Sequence, residues 1–149
     1  MNGGIQKSAV YFKTKGGELK KGGELPKVRT QIIGAVTTQV ESLLQLQPSQ
    51  DRNIYFGQSN LDHMKNRHPY DFAKYGSDLC QIIALPDYVG KNPSDDSIEY
   101  VKEYPQDSEY VKVAVRLSLS GNRYYARSLY ILNDQRVERF IAKGTLKKV

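Results

Sequence analysis

Apolar and polar positions alternate most cleanly between Tyr110 and Leu132. Val111, Val113, Val115 and Leu117 fall on one side, Lys112, Ala114, Arg116 and Ser118 on the other. That is the two-residue period of a strand with one face buried. Ser120-Gly121-Asn122 supplies a turn, because glycine takes positive φ without steric cost. Arg123 to Leu132, rich in Tyr, Leu and Ile, forms the returning arm. The stretch predicts an antiparallel hairpin, and its charged, hydroxyl-bearing second face is where chemistry or a partner belongs.

Upstream, Ile32, Ile33, Val36, Val40, Leu43 and Leu44 recur at three- and four-residue intervals. They predict a helix over Gln31–Leu46, which Pro48 stops. Ile54-Tyr55-Phe56 predicts a short strand. Ser59 is expected to cap a helix starting near Asn60 and ending by His68, because Pro69 follows. A second helix is expected to reach Tyr75, and a third to cover Asp78–Leu85. Pro86 to Pro93 carries the turn residues of a loop. Ser97–Tyr104 alternates as a strand, with Ile98, Tyr100 and Lys102 opposite Glu99, Val101 and Glu103. Asp134 is expected to cap a helix over Gln135–Ala142 that Gly144 ends, with Thr145–Val149 as a last edge strand. Residues 1–30 read as a flexible basic arm. The repeated K-G-G-E-L unit offers little apolar surface against the entropy of its paired glycines. Residues 31–149 then form one small α+β domain, helices on an antiparallel sheet of about four strands.

Charge sharpens this picture. Residues 51–110 carry six basic and eleven acidic side chains, whereas residues 111–149 carry nine basic and two acidic. The most strand-like region is therefore the most positive, which favours an anionic partner, phosphate backbone above all. An ordinary basic surface is the bland alternative. Cys80 is the single cysteine and lies in an apolar stretch, so it reads as a core thiol and no internal disulfide forms. No apolar run has transmembrane length and no signal-peptide core opens the chain, so a cytoplasmic setting without a membrane partner is expected.

Candidate chemistry centres on the two histidines, His63 and His68. Their spacing puts them at different angles on a helix, but a break at Pro69 would let both rings reach one cleft. Imidazole titrates near neutrality and moves protons. Cleavage of RNA by its own 2′-hydroxyl needs such a pair, a base for the hydroxyl and an acid for the departing 5′-oxygen, with cations for the phosphoryl oxygens. Capping or surface packing is the alternative for both rings. Arg116 projects from the open side of the first arm and suits bidentate phosphate binding. On the second arm, Ser128 and Tyr130 share one face and Arg127 the other with Tyr125, Leu129 and Ile131; a bulge would turn either set toward the cleft. Lys112, Ser118, Arg123 and Lys143 are further substrate-binding candidates. No metal or other cofactor is expected. The histidine spacing does not fit a zinc motif, and Asp95-Asp96 reads as a solvated turn.

Three ordered segments carry a resemblance: I-Y-F-G-Q-S-N-L-D-H-M-K-N-R-H-P-Y-D-F-A-K-Y-G, P-D-Y-V-G-K-N-P-S-D-D-S-I-E-Y and V-A-V-R-L-S-L-S-G-N-R-Y-Y-A-R-S-L-Y. Together they resemble the phage-associated branch of the barnase, EndoU, colicin and RelE-type nuclease superfamily, over about Ile33 to Lys148. The resemblance implies helices followed by a curved antiparallel sheet, and metal-independent RNA cleavage to a 2′,3′-cyclic phosphate. It also implies toxin or mobile-element association. Its H-x4-H-P motif falls on His63, His68 and Pro69, its strand arginine on Arg116, and its R-S-L-Y motif on Arg127, Ser128, Leu129 and Tyr130. Implied partners are RNA, with transfer RNA one candidate, and a cognate inhibitor or host protein. The setting would then include a host cytoplasm after phage or toxin delivery. The competing reading is a non-catalytic phage accessory protein that binds nucleic acid or a host protein.

Overall fold

The computed structural model describes residues 28–149; residues 1–27 of the expected arm lie outside the described residues. Val28 is already buried, and its amide donates to Gln58 Oε1 at 2.6 Å. In chain order the elements are β1 (Gln31–Ala35), α1 (Thr38–Leu44), β2 (Asn53–Phe56), α2 (Gln58–Arg67), α3 (Pro69–Tyr75), α4 (Leu79–Ala84), β3 (Tyr88–Lys91), β4 (Ile98–Tyr104), β5 (Glu109–Leu117), β6 (Tyr124–Leu132), α5 (Asp134–Lys143) and β7 (Leu146–Lys148).

The sheet corrects the expected fold. It has seven strands in the order β1-β2-β6-β5-β4-β3-β7, not a curved antiparallel sheet of four. It is also mixed, because β2 runs parallel to β6 while the other pairs are antiparallel. Two of the extra strands come from segments with other predicted fates. The expected Gln31–Leu46 helix is a strand followed by a short helix. Ile32 and Ile33 are β-branched, Gly34 disfavours helix, and Thr37 caps α1 by accepting the Val40 amide at 3.2 Å. The expected loop at Pro86–Pro93 contains β3. There Gly90 serves close packing: a Cβ would lie 2.6 Å from the Thr145 carbonyl oxygen where β7 pairs.

Helix caps shift by one or two residues. Gly57, not Ser59, precedes α2, and its amide donates to Asn60 Oδ1 at 2.9 Å. Asn133, not Asp134, caps α5 by accepting the Gln135 and Arg136 amides. Gly144 ends that helix and Gly121 turns the β5–β6 hairpin, both at positive φ.

One sheet face is covered by the main core, in which Ile54, Phe56, Val111, Val113, Val115 and Leu129 meet Leu61, Met64 and Phe72 of α2 and α3. On the other face, Val101, Leu132 and Leu146 form a smaller cluster with Val137 of α5. Cys80 is partly buried, and its Sγ donates to the Ile33 carbonyl at 2.9 Å. Inside the core the Tyr100 hydroxyl is buried with no hydrogen-bond partner among the described residues. Such a group costs its desolvation without return. Tyr100→Phe is therefore expected to stabilise the domain by about 1 kcal/mol in urea denaturation.

Candidate active site

The β5–β6 register shows how the open face is built. Ala114 pairs with Ser128 and Val115 with Ala126, so Arg127 is an extra, bulged residue. The bulge reverses the alternation along β6. Beyond it Leu129 and Ile131 face the core, while Ser128 and Tyr130 face out; before it Tyr124 and Ala126 face the core and Tyr125 faces out. Arg127 itself is exposed. Tyr125, Arg127, Ser128 and Tyr130 thus share one face with Lys112 and Arg116, where strict alternation would divide them.

The histidines approach this face along the part of β6 that β2 does not cover. Pairing with β2 is recorded only at Tyr124 and Tyr125. Further along, Asp71 Oδ2 of α3 accepts the Ile131 amide at 3.0 Å and pins the α2–α3 corner to the strand. His68 forms that corner: its amide donates to the Met64 carbonyl, and its carbonyl accepts the Phe72 amide. Its ring stacks on Tyr130, centroids 4.6 Å apart and planes 28° from parallel. His63, one turn earlier and exposed, lines a cavity of about 580 Å³ with Arg127, Tyr125 and Ser118. Gln58, Ser59 and Asn60, the first turn of α2, line the same cavity. A helix N-terminus carries partial positive charge and amides suited to phosphate. Histidine, arginine and this positive end therefore converge on one space.

Other candidates lie apart. Lys112 is nearly buried, and its Nζ sits 2.9 Å from Glu99 Oε2 and 4.7 Å from the Tyr130 ring centroid. Burial works against its charge, but the Tyr130 and Glu99 side chains outweigh it and raise the pKa above the ordinary lysine value. Asn92 Nδ2 also donates to Glu99. Lys112, Tyr130 and Lys143 share a smaller cavity of about 320 Å³ with Arg136 and Phe140 of α5. Arg116 stands opposite Tyr125 in the register but opens onto a third cavity, of about 490 Å³, beside Lys91, Asp95 and Asp96. Asp95 is held below the ordinary carboxylate range, first by its hydrogen bonds to Ser97 and more weakly by Arg116 and Lys112. Arg123 lies 4.5 Å over the Tyr55 ring.

Residues 31–139 match the protein family described as phage-Barnase-EndoU-ColicinE5/D-RelE like nuclease3. The chain belongs to this family. No curated protein and no solved structure matches it. Membership in this nuclease-like family makes nucleic acid the general class of partner. The match ends inside α5, so it spans both histidines and the whole β5–β6 hairpin. Among the described residues, no three His, Cys, Asp or Glu side chains are grouped to hold a metal ion. No helix among them is long and apolar enough to cross a membrane.

Three contributors to this face are not among the sequence candidates for the site: the first turn of α2, Tyr125 and Leu119. The helix start is displaced from Ser59. Tyr125 changes faces only because of the bulge, and Leu119 lies at a hairpin tip.

Proposed function

We propose that this protein is an endoribonuclease that cleaves RNA by attack of the 2′-hydroxyl on the adjacent phosphorus, without a metal. The observation that carries this reading is the convergence of His63, Arg127 and the first turn of α2 on one cavity of the open face. As the 2′-oxygen attacks, one imidazole takes its proton. The bond from phosphorus to the 5′-oxygen breaks, and the second imidazole, as its cation, returns a proton to that oxygen. The products are a 2′,3′-cyclic phosphate and a 5′-hydroxyl. His63 and His68 are the proton carriers. Arg127, in the cavity with His63, offsets charge on the phosphoryl oxygens, and Arg116, on the same face but opening onto a neighbouring cavity, holds phosphate from that side. Ser128 and Tyr130 orient the substrate, with Tyr130 also holding the His68 ring by stacking. Lys112, Ser118, Arg123 and Lys143 bind the flanking strand, Lys112, paired with Glu99, also lying against the Tyr130 ring. RNA, transfer RNA included, is the substrate class, and a cognate inhibitor or host protein is the further partner.

The test is incubation with total RNA in excess chelator. The expected result is fragments ending in a 2′,3′-cyclic phosphate. RNA that is retarded in a salt-dependent way but stays whole would overturn cleavage in favour of a binding module.

A further inference from the structure

The cavity that holds His63 and Arg127 has a second chemistry at its mouth. Leu119, at the tip of the β5–β6 hairpin, is 104% exposed. Leu119 lines the same cavity as His63 and Arg127, so an apolar side chain stands beside the polar groups there and can pack against the face of a ligand. Tyr125 lines the same cavity and is half-buried. Its ring is braced by Tyr55, centroids 5.9 Å apart and planes tilted by 42°. Tyr55 is itself held by Asp51, whose Oδ2 accepts the phenol hydrogen bond at 2.6 Å, and by Arg123 over its face. The aromatic element is therefore fixed in place before any ligand arrives.

We infer that Leu119 and Tyr125 form a nucleobase pocket, which takes one unpaired RNA base between an aliphatic side chain and an aromatic ring. The inference rests on the RNA-cleavage reading and adds that the substrate is single-stranded at the nucleotide beside the scissile phosphate. Three features fix the occupant as a nucleotide. Arg127 and the first turn of α2 supply positive charge for the phosphate within the same cavity. Tyr125 supplies a flat ring, and stacking on such a ring tolerates any base because every base has a π-face. The volume of about 580 Å³ lies in the range of small-ligand sites. A paired base cannot enter, since its faces are already stacked within the duplex.

The test uses a 2′-O-methyl oligoribonucleotide carrying one 2-aminopurine. This probe lacks the attacking hydroxyl, so binding is read apart from cleavage. The full chain is expected to quench its fluorescence on binding. Tyr125→Ala and Leu119→Ser are each expected to weaken that binding by about tenfold. Tyr125→Phe, which keeps the ring, is expected to recover most of it. The pre-annealed duplex should bind all variants alike. Equal affinity of parent and Tyr125→Ala for the single strand overturns the pocket, and so does an equal loss on the duplex. A protein that leaves ordinary RNA whole yet shows the single-strand-specific loss upholds the pocket while overturning cleavage. Cleavage with unchanged variant affinities does the reverse.

Discussion

His63→Ala is expected to slow cleavage of an RNA oligonucleotide by about 100- to 10,000-fold under single-turnover conditions, the usual contribution of one positioned acid or base. The same variant should melt within about a degree of the parent, since substitutions at exposed sites away from special features change stability little. His63 is exposed on α2. His68→Ala should lose cleavage to a similar degree but also some stability. Its ring stacks on Tyr130, and such a contact contributes about 0.5–1.5 kcal/mol. If the two imidazoles act as one unit, the double variant falls little below either single one. Parent-like rates in both variants would remove the histidines from the mechanism. A loss of rate that tracks a loss of cooperative melting would make their role structural.

Lys112→Ala is expected to destabilise the domain by about 3–5 kcal/mol, measured by urea denaturation. The size follows from what is left behind. The Lys112 and Glu99 side chains are only 12% and 9% exposed, so the truncation leaves a buried carboxylate without its cation. Among the described residues Asn92 still donates to Glu99, but one amide does not replace an ammonium. Changing both partners together, Lys112→Met with Glu99→Gln, should restore most of the loss, because two neutral groups carry no uncompensated charge. By contrast, Lys91 and Asp96 are 3.7 Å apart and exposed, a pair worth about 0–1 kcal/mol. The pH dependence has a definite sign. Folding raises the Lys112 pKa, so the folded state holds this proton more tightly than the unfolded chain. The contribution is complete below the unfolded value of about 10.4 and fades as pH rises through the higher folded value. Loss of this stabilisation at neutral pH would contradict the assignment.

Local chemistry made much of this legible from the chain alone. The β5–β6 hairpin, the faces of β4, the break at Pro69 and the end of α5 at Gly144 each follow from a pattern contained within a few residues. The candidate residues come from two short motifs, H-x4-H-P at His63 and His68 and R-S-L-Y at Arg127 and Tyr130, and from a densely basic C-terminal segment. Long-range pairing was not legible. Tyr88 to Lys91 is a strand because β4 and β7 accept it on both sides, and its glycine is needed by Thr145, more than fifty residues away. Gln31 to Ala35 is a strand because β2 offers it an edge, although its apolar spacing also suits a helix. The parallel pairing of β2 with β6 joins Ile54 to Tyr124 and leaves no local trace.

The candidate site divides in the same way. Sequence determined which side chains are available and that positive charge is dense over residues 111–149. Tertiary structure decided which of them meet. The bulge at Arg127 turned Tyr125 outward, and the Asp71–Ile131 bond brought His68 to Tyr130. The start of α2 at Gln58 placed its first turn along His63's cavity, while Glu99 engaged Lys112. The physical reason is one of range. Periodicity and turn preference act within a few residues, whereas register, burial and electrostatic pairing depend on segments that become neighbours only on folding.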